Sequence, residues 1–297
     1  MKRAAIVALA VLSAFPLARA QEESAAPDLS GEIERLVRDL GAESWEARER
    51  AVERLARIGE PAEEAVRRAA EDADPEVRTR AEWVLAAIRE RAAVERLVAG
   101  TLLPDEVRDL DPAAIRRFLR AEGAPLAGAD PDVLFGRFLV LRLRDDPETE
   151  LYYTRDSETV AALEALAAKA VPALLGGLES AEWQVRFSSL VVLARVADAT
   201  TAAPVLALAG SDPHPWVRTE AAWILGRWSH RPAAGTLVAL LADPDATVRF
   251  EACQALVRIT GESLPAMPRV APRDDPEVER SRRAWQEWWD GHRAEYE

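Results

Sequence analysis

A small residue or valine followed by arginine recurs along this chain at Ala47-Arg48, Val77-Arg78, Val185-Arg186, Val217-Arg218 and Val248-Arg249. The arginines stand 30 residues apart in the first pair and 32 and 31 apart in the last three. The flanking columns repeat as well. Three residues after the arginine comes a small side chain (Ala51, Ala81, Ser189, Ala221, Ala252), and seven after it a leucine (Leu55, Leu85, Leu193, Leu225, Leu256). Ten after it stands a bulky apolar residue: Ile58, Ile88, Val196, Trp228 or Ile259. Offsets −1, +3, +7 and +10 share one face of a 3.6-residue helix, so each unit contains an amphipathic helix with one buried stripe. The small column predicts a place where a neighbouring helix crosses too closely for a larger side chain.

Start signals precede each of these helices. Ser44, Asp74, Glu182, His214 and Asp245 stand four residues before the arginine, at the N-cap. Pro75 and Pro215 follow directly, at the first helical position. A shorter apolar helix is predicted upstream of the last three, in "AVPALLGGLES" (170–180), "TAAPVLALAGS" (201–211) and "AGTLVALLAD" (234–243). Two helices per ~31 residues cannot bury their faces alone, so they stack on their neighbours. The predicted fold class is all-α, an α-solenoid of helical hairpins.

The text "DPEVRTRAEWVLAAI", "HPWVRTEAAWILGRW" and "DATVRFEACQALVRI" resembles the HEAT repeat family, in its short bacterial form also found in phycobilisome-lyase-like proteins. The resemblance covers residues 31–92 and 160–262. It implies a ladder between adjacent repeats, built from the turn aspartate and the helix arginine. Carried over, this gives Asp74 with Arg78, Asp245 with Arg249 and Asp212 with Arg218, and it places Arg186 in the same column. Arg48 has Ser44 in place of the aspartate. The lyase branch also implies an alternative function, a tetrapyrrole-type carrier or lyase-like enzyme.

Residues 93–155 interrupt the pattern. Val107-Arg108 lies at the right distance from Arg78, but the small and leucine columns fail at Asp111 and Ile115. The segment reads as an irregular insertion or decayed repeat, able to cap a groove or form a pocket. "VLFGRFLVLRLR" within it has mixed β and helical character, and "DDPETELYY" reads as an exposed loop. Repeats resume over 156–262, where Leu163 and Leu166 match the columns of a degenerate second helix. A proline-rich linker (263–275) leads to a tryptophan-rich segment (276–297). There Trp285, Trp288 and Trp289 fall at i, i+3 and i+4 on one helical face. Exposed, they would form an aggregating patch, so this helix is expected to cap the open end of the array.

At the other terminus, Lys2 and Arg3 precede an apolar run from Ala4 to Leu17 and the sequence Ala18-Arg19-Ala20. That is the pattern of a secretory signal peptide over residues 1–20, followed by a flexible linker (21–30). Fourteen apolar residues fall short of the ~20 that a spanning helix needs, so no membrane insertion is expected after cleavage. Export to the periplasm, envelope or exterior follows. With 49% hydrophobic and 30% charged residues the chain has a globular composition, and its formal charge of −13 disfavours nucleic acid and anionic lipid. One cysteine and three histidines leave little from which to build a disulfide framework or a zinc site. The sequence contains no nucleophile elbow, phosphate loop, H-E-x-x-H or EF-hand loop. No cofactor, metal or catalytic residue is expected.

Opposite the buried stripe, offsets +1, +5 and +8 point roughly 145–165° from the core direction. They carry Trp83, Phe187, Val191, Trp223, Phe250, Gln254 and Val257, while the first repeat has Glu49 and Glu53, an acidic end. In the family this row lines the concave surface, so it is the candidate site for a protein or peptide partner, with stacking between repeats as the alternative. His214 and His230 suggest a site at first sight, but sixteen helical residues would separate them by ~24 Å. The expected function is that of an exported, non-enzymatic scaffold.

Overall fold

The computed structural model describes residues 28–121, 126, 128–144 and 157–296. The signal-peptide pattern and the 145–153 loop lie outside them. No strand occurs among the described residues. The chain divides into two units, Met1–Phe135 and Gly136–Glu297, each a stack of helical hairpins of the all-α solenoid class.

The first unit contains α1 (Leu29–Asp39), α2 (Trp45–Ile58), α3 (Glu60–Ala69), α4 (Pro75–Ala99), α5 (Pro104–Val107) and α6 (Pro112–Arg120), and α7 (Pro131–Arg142) begins in it. Helix α2 packs on α1, and α4 packs on α2 and α3. Between them Leu40, Leu55, Val66, Ala81, Val84 and Ile88 are sealed from solvent. Burying one such leucine or valine fully is worth ~1.5–3 kcal/mol. Helix α4 runs on to Ala99, into the stretch read as irregular, and ends on Gly100 in the left-handed region at φ 72°. The "VLFGRFLVLRLR" run is helical in α7, since its apolar residues are spaced for burial on a helix: Leu134, Phe135, Phe138 and Leu139 are all buried.

The second unit contains α8 (Glu158–Leu166), α9 (Val171–Gly177), α10 (Trp183–Val196), α11 (Ala202–Ser211), α12 (Pro215–Arg227), α13 (Ala234–Leu240), α14 (Ala246–Thr260) and α15 (Pro276–His292). The long helices α10, α12 and α14 pack on one another in sequence, and each also packs on the short helix before it. The small column has the cause the spacing predicts. A Cβ on Gly177 of α9 would lie 2.3 Å from Ser189 Oγ of α10, so neither position has room for more. Ala221 and Ala252 are likewise fully buried. By length and composition, Glu158–Gly177 is apolar enough to cross a membrane, yet its Leu163 and Leu174 are fully buried within the unit.

All five predicted N-caps begin their helices, but only three cap with their side chains. Ser44, Asp74 and Asp245 accept from backbone N–H groups of the first turn, a contribution of ~1 kcal/mol each. Glu182 and His214 make no such bond. The anchor arginine fills the gap in every repeat. Its Nη1 donates to two main-chain carbonyls of the preceding turn: Ala42 and Glu43 for Arg48, Asp72 and Ala73 for Arg78, Ser180 and Ala181 for Arg186, Asp212 and Pro213 for Arg218, and Asp243 and Pro244 for Arg249.

The ladder runs through different carboxylates from those expected. Arg186 donates through Nε to Asp212 Oδ2 at 2.6 Å and through Nη2 to Asp212 Oδ1 at 2.8 Å. Arg218 makes the same bidentate pair with Asp243, at 2.9 and 2.8 Å. Asp212 therefore pairs with the arginine of the repeat before it rather than with Arg218. Asp74 and Asp245 serve as helix caps, not as partners of Arg78 and Arg249. The reason is reach: each arginine turns Nη1 back to its own loop, which leaves the rest of the guanidinium facing the next repeat. The acceptor sits six residues before the anchor arginine, where it also accepts the N-cap backbone N–H, from His214 in one repeat and Asp245 in the next. Arg249, 1% exposed, donates instead from Nη2 to the Ala271 carbonyl at 2.5 Å.

Candidate interaction surface

The expected partner row divides when placed on the structure. Trp83, Phe187, Trp223, Phe250 and Gln254 are half-buried, and Val257 is exposed at 36%. Val191 departs from the expectation: it is buried at 7%. Helix α10 packs against α8, α9 and α12 together, which closes nearly all of its circumference, including Ser188, Val191 and Val192. Arginines cover part of the remaining row. Arg227 lies 5.5 Å over the Trp223 ring and Arg269 5.7 Å over Phe250. The acidic end of the first repeat also differs from the expectation. Glu49 is buried at 8%, and Glu53 borders a cleft shared with three arginines, its carboxyl raised by burial.

One of two aromatic concentrations among the described residues of the second unit lies at the N-terminal ends of α10 and α12. The Trp183 indole stacks on the His214 imidazole, with centroids 3.9 Å apart and planes within 1°. Trp216 stands edge-on to both, at 5.3 Å from Trp183 and 5.8 Å from His214. Phe187 adds a tilted contact with each tryptophan, at 6.4 and 6.3 Å. All four rings are half-buried. Burial holds the His214 pKa below its usual value, and Arg186 and Arg218 act in the same direction against Asp212. The neutral ring stacks on an indole without a desolvated charge. Its Nδ1 is buried without a hydrogen-bond partner.

The residues were visible in the sequence, but their association was not. Trp183 stands three residues before its anchor arginine and Trp216 two before, so they fall in different columns and meet only across helices. The recurrence of tryptophan at −3, in Trp45 and Trp183, was the available signal. His230 is not part of the group. It follows α12 beyond Ser229, and burial lowers its pKa too.

The C-terminal tryptophans lie on α15, which packs on α13. Trp285 is fully buried and Trp289 is 8% exposed. A Cβ on Gly235 of α13 would come within 2.8 Å of Trp289 Cζ2, so only glycine admits the ring there. Trp288 is half-buried, stacked on His292 at 4.9 Å and edge-on to Tyr296. Cys253 is buried at 1%. Among the described residues no three His, Cys, Asp or Glu side chains are placed to hold a metal ion.

A family-wide profile of HEAT repeats matches residues 33–115 and 202–286. No curated protein matches the chain. Among solved structures, an engineered protein from the Northeast Structural Genomics Consortium is 20% identical, over 77% of this chain and 97% of its own, with a TM-score of 0.30. Human deoxyhypusine hydroxylase in complex with glycerol is 18% identical, over 88% of this chain and 96% of its own, with a TM-score of 0.29. With the profile matched over more than half its length, and with stacked hairpins in both units, the chain belongs to the HEAT repeat family.

Proposed function

We propose that this protein is an exported scaffold that binds a polypeptide partner through the aromatic surface of its second unit and catalyses no reaction itself. The observation that carries this reading is the group of Trp183, Phe187, His214 and Trp216 on two consecutive repeat helices, with all four rings part-exposed. Tryptophan presents large contact area at low entropic cost, which is why it is enriched where binding energy concentrates. Trp223 extends the surface along α12, and the helices beneath are locked by the small column and the Arg186–Asp212 pair. The signal-peptide pattern at residues 1–20 supports export. The sequence carries no nucleophile elbow, phosphate loop or metal motif that would support an enzymatic reading.

The test is capture of partners from the native envelope fraction on immobilised protein, read by quantitative mass spectrometry, with Trp216→Ala and Trp223→Ala beside the parent chain. Loss of one specific partner, with a melting temperature within a few degrees of the parent, is the expected result. Capture that persists in both variants would overturn the reading. So would a loss of stability as large as that of a core substitution, because the rings would then serve packing alone.

A further inference from the structure

Helix α2 carries Arg50, Arg54 and Arg57 at offsets +2, +6 and +9 from its anchor arginine, in one stripe along its side. The corresponding stripe is packed throughout the second repeat and at +6 in the later ones, whereas at +9 the last three repeats carry Arg195, Arg227 and Arg258, exposed as Arg57 is. Arg80, Val84 and Ala87 are 6%, 0% and 6% exposed, and Ser188, Val192, Ile224 and Ala255 are fully buried. The cause is geometric, since offset +6 faces the long helix of the preceding repeat: a Cβ on Gly226 of α12 would lie 2.8 Å from Ala255 Cβ of α14. On α2, among the described residues, the +2 and +6 positions are open as well. Arg50 and Arg57 are exposed, and the Arg54 side chain is 46% exposed. Beside it, a cleft of about 400 Å³ between α1 and α2 is floored by Leu36, Ala47 and Ala51.

The +9 arginines of the fourth and fifth repeats turn to their own helices, Arg227 over Trp223 and Arg258 to Glu251, while the third repeat shows one that receives another helix. Arg195 occupies the +9 offset on α10, as Arg57 does on α2, and it is ion-paired with Glu164 of α8. Helix α8 packs along that side of α10 and carries the leucine columns of a degenerate second helix. We propose that the α1–α2 edge is a docking site for an acidic amphipathic helix of a partner protein, seated on α2 as α8 is seated on α10. The partner's apolar side chains fill the cleft, and its carboxylates pair with Arg50 and Arg57, whose planar guanidiniums suit bidentate contact. Arg54 is already held by Glu32 at 2.6 Å, and Asp39 and Glu53 border the cleft. The attraction is therefore short-range pairing rather than a broad positive field. This surface is distinct from the aromatic one and does not depend on it.

The probe is a labelled peptide of residues Ser157–Lys169, the segment that covers α10, titrated into the full chain with fluorescence anisotropy as readout. Saturable binding below about 1 mM is expected. Arg57→Glu in the chain should weaken it about tenfold without moving the melting temperature. A Glu164→Lys peptide should restore binding to the Arg57→Glu chain. Trp216→Ala should leave peptide binding unchanged, which separates this site from the aromatic surface. The proposal is overturned if no saturable binding occurs. It is also overturned if binding survives Arg57→Glu undiminished, because the peptide would then be competing with α8 at α10.

Discussion

Arg186 of one repeat grips Asp212 of the next with two parallel N–H···O bonds, and both side chains are more than nine-tenths buried. The aspartate also accepts the backbone N–H of His214, so a single carboxylate joins two repeats and begins a helix. Removing one partner of a buried pair strands the other charge, at a cost of ~3–5 kcal/mol. Asp212→Ala should therefore lower the unfolding free energy, read from denaturant titration of the intrinsic tryptophan signal, by that much. Arg186→Lys keeps the charge but loses the fork, and should still destabilise the fold. A shift of less than ~1 kcal/mol in Asp212→Ala would mean that the ladder contributes little.

The crossing of α12 and α14 is set by contact at Gly226 and Ala255. A methyl group at position 226 would lie 2.7 Å from the Ala255 Cα, which is main chain and cannot swing aside. Gly226→Ala should destabilise by ~1–3 kcal/mol, although alanine is the better helix former by ~1 kcal/mol. Ala221→Leu, in the small column of α12, should cost a similar amount. Unchanged thermal melting of both variants would refute this packing register.

Glu90 of α4 gives the fold a pH dependence. Burial, together with the negative charge of Asp111, raises its pKa from the ordinary 4.5 to about 7, against the opposing influence of Arg117 and Arg89. The folded state therefore holds more protons than the unfolded chain between those values, so stability falls as pH rises through that window. Below it, both states are protonated and the contribution is complete. Glu90→Gln should remove the slope and leave the variant more stable than the parent above pH ~7. The measurement is the melting-temperature difference between the two chains from pH 4.5 to 8; a difference that stays constant would dismiss Glu90 as its source.

Gly235 is the seat of the C-terminal helix. Gly235→Val should drive the Trp289 indole off α13, red-shift the tryptophan emission and open residues 263–275 to limited proteolysis. If the cleavage pattern does not change, α15 is held by contacts other than that ring.

The repeat was legible because its columns are imposed by close helix crossings, which tolerate few side chains. Ala221 and Leu225 carry that pressure in their identity, and the same pressure recurs at a fixed period. The ladder was only half legible. Its arginines stand in a column, and so do its acceptors Asp212 and Asp243, but spacing alone does not show to which repeat an arginine turns. The aromatic group was less visible again, since Trp183 and Trp216 occupy different columns and meet only through the crossing of α10 and α12. Val191 was misplaced for a related reason. A helical wheel assigns one exposed face, whereas α10 has helices on three sides.

Arg249 repeats the gesture of Arg186 and Arg218, but its outward bond ends on the Ala271 carbonyl, in the stretch that leads to α15. Where the other two arginines grip the aspartate of the next repeat, this one meets its own tail. The junction works as a stopper: a socket that another hairpin would need is already filled, and a second molecule cannot add itself there without first displacing it. Residues 263–275 thus end the arginine ladder of this unit, supplying a main-chain oxygen where a further hairpin would supply an aspartate.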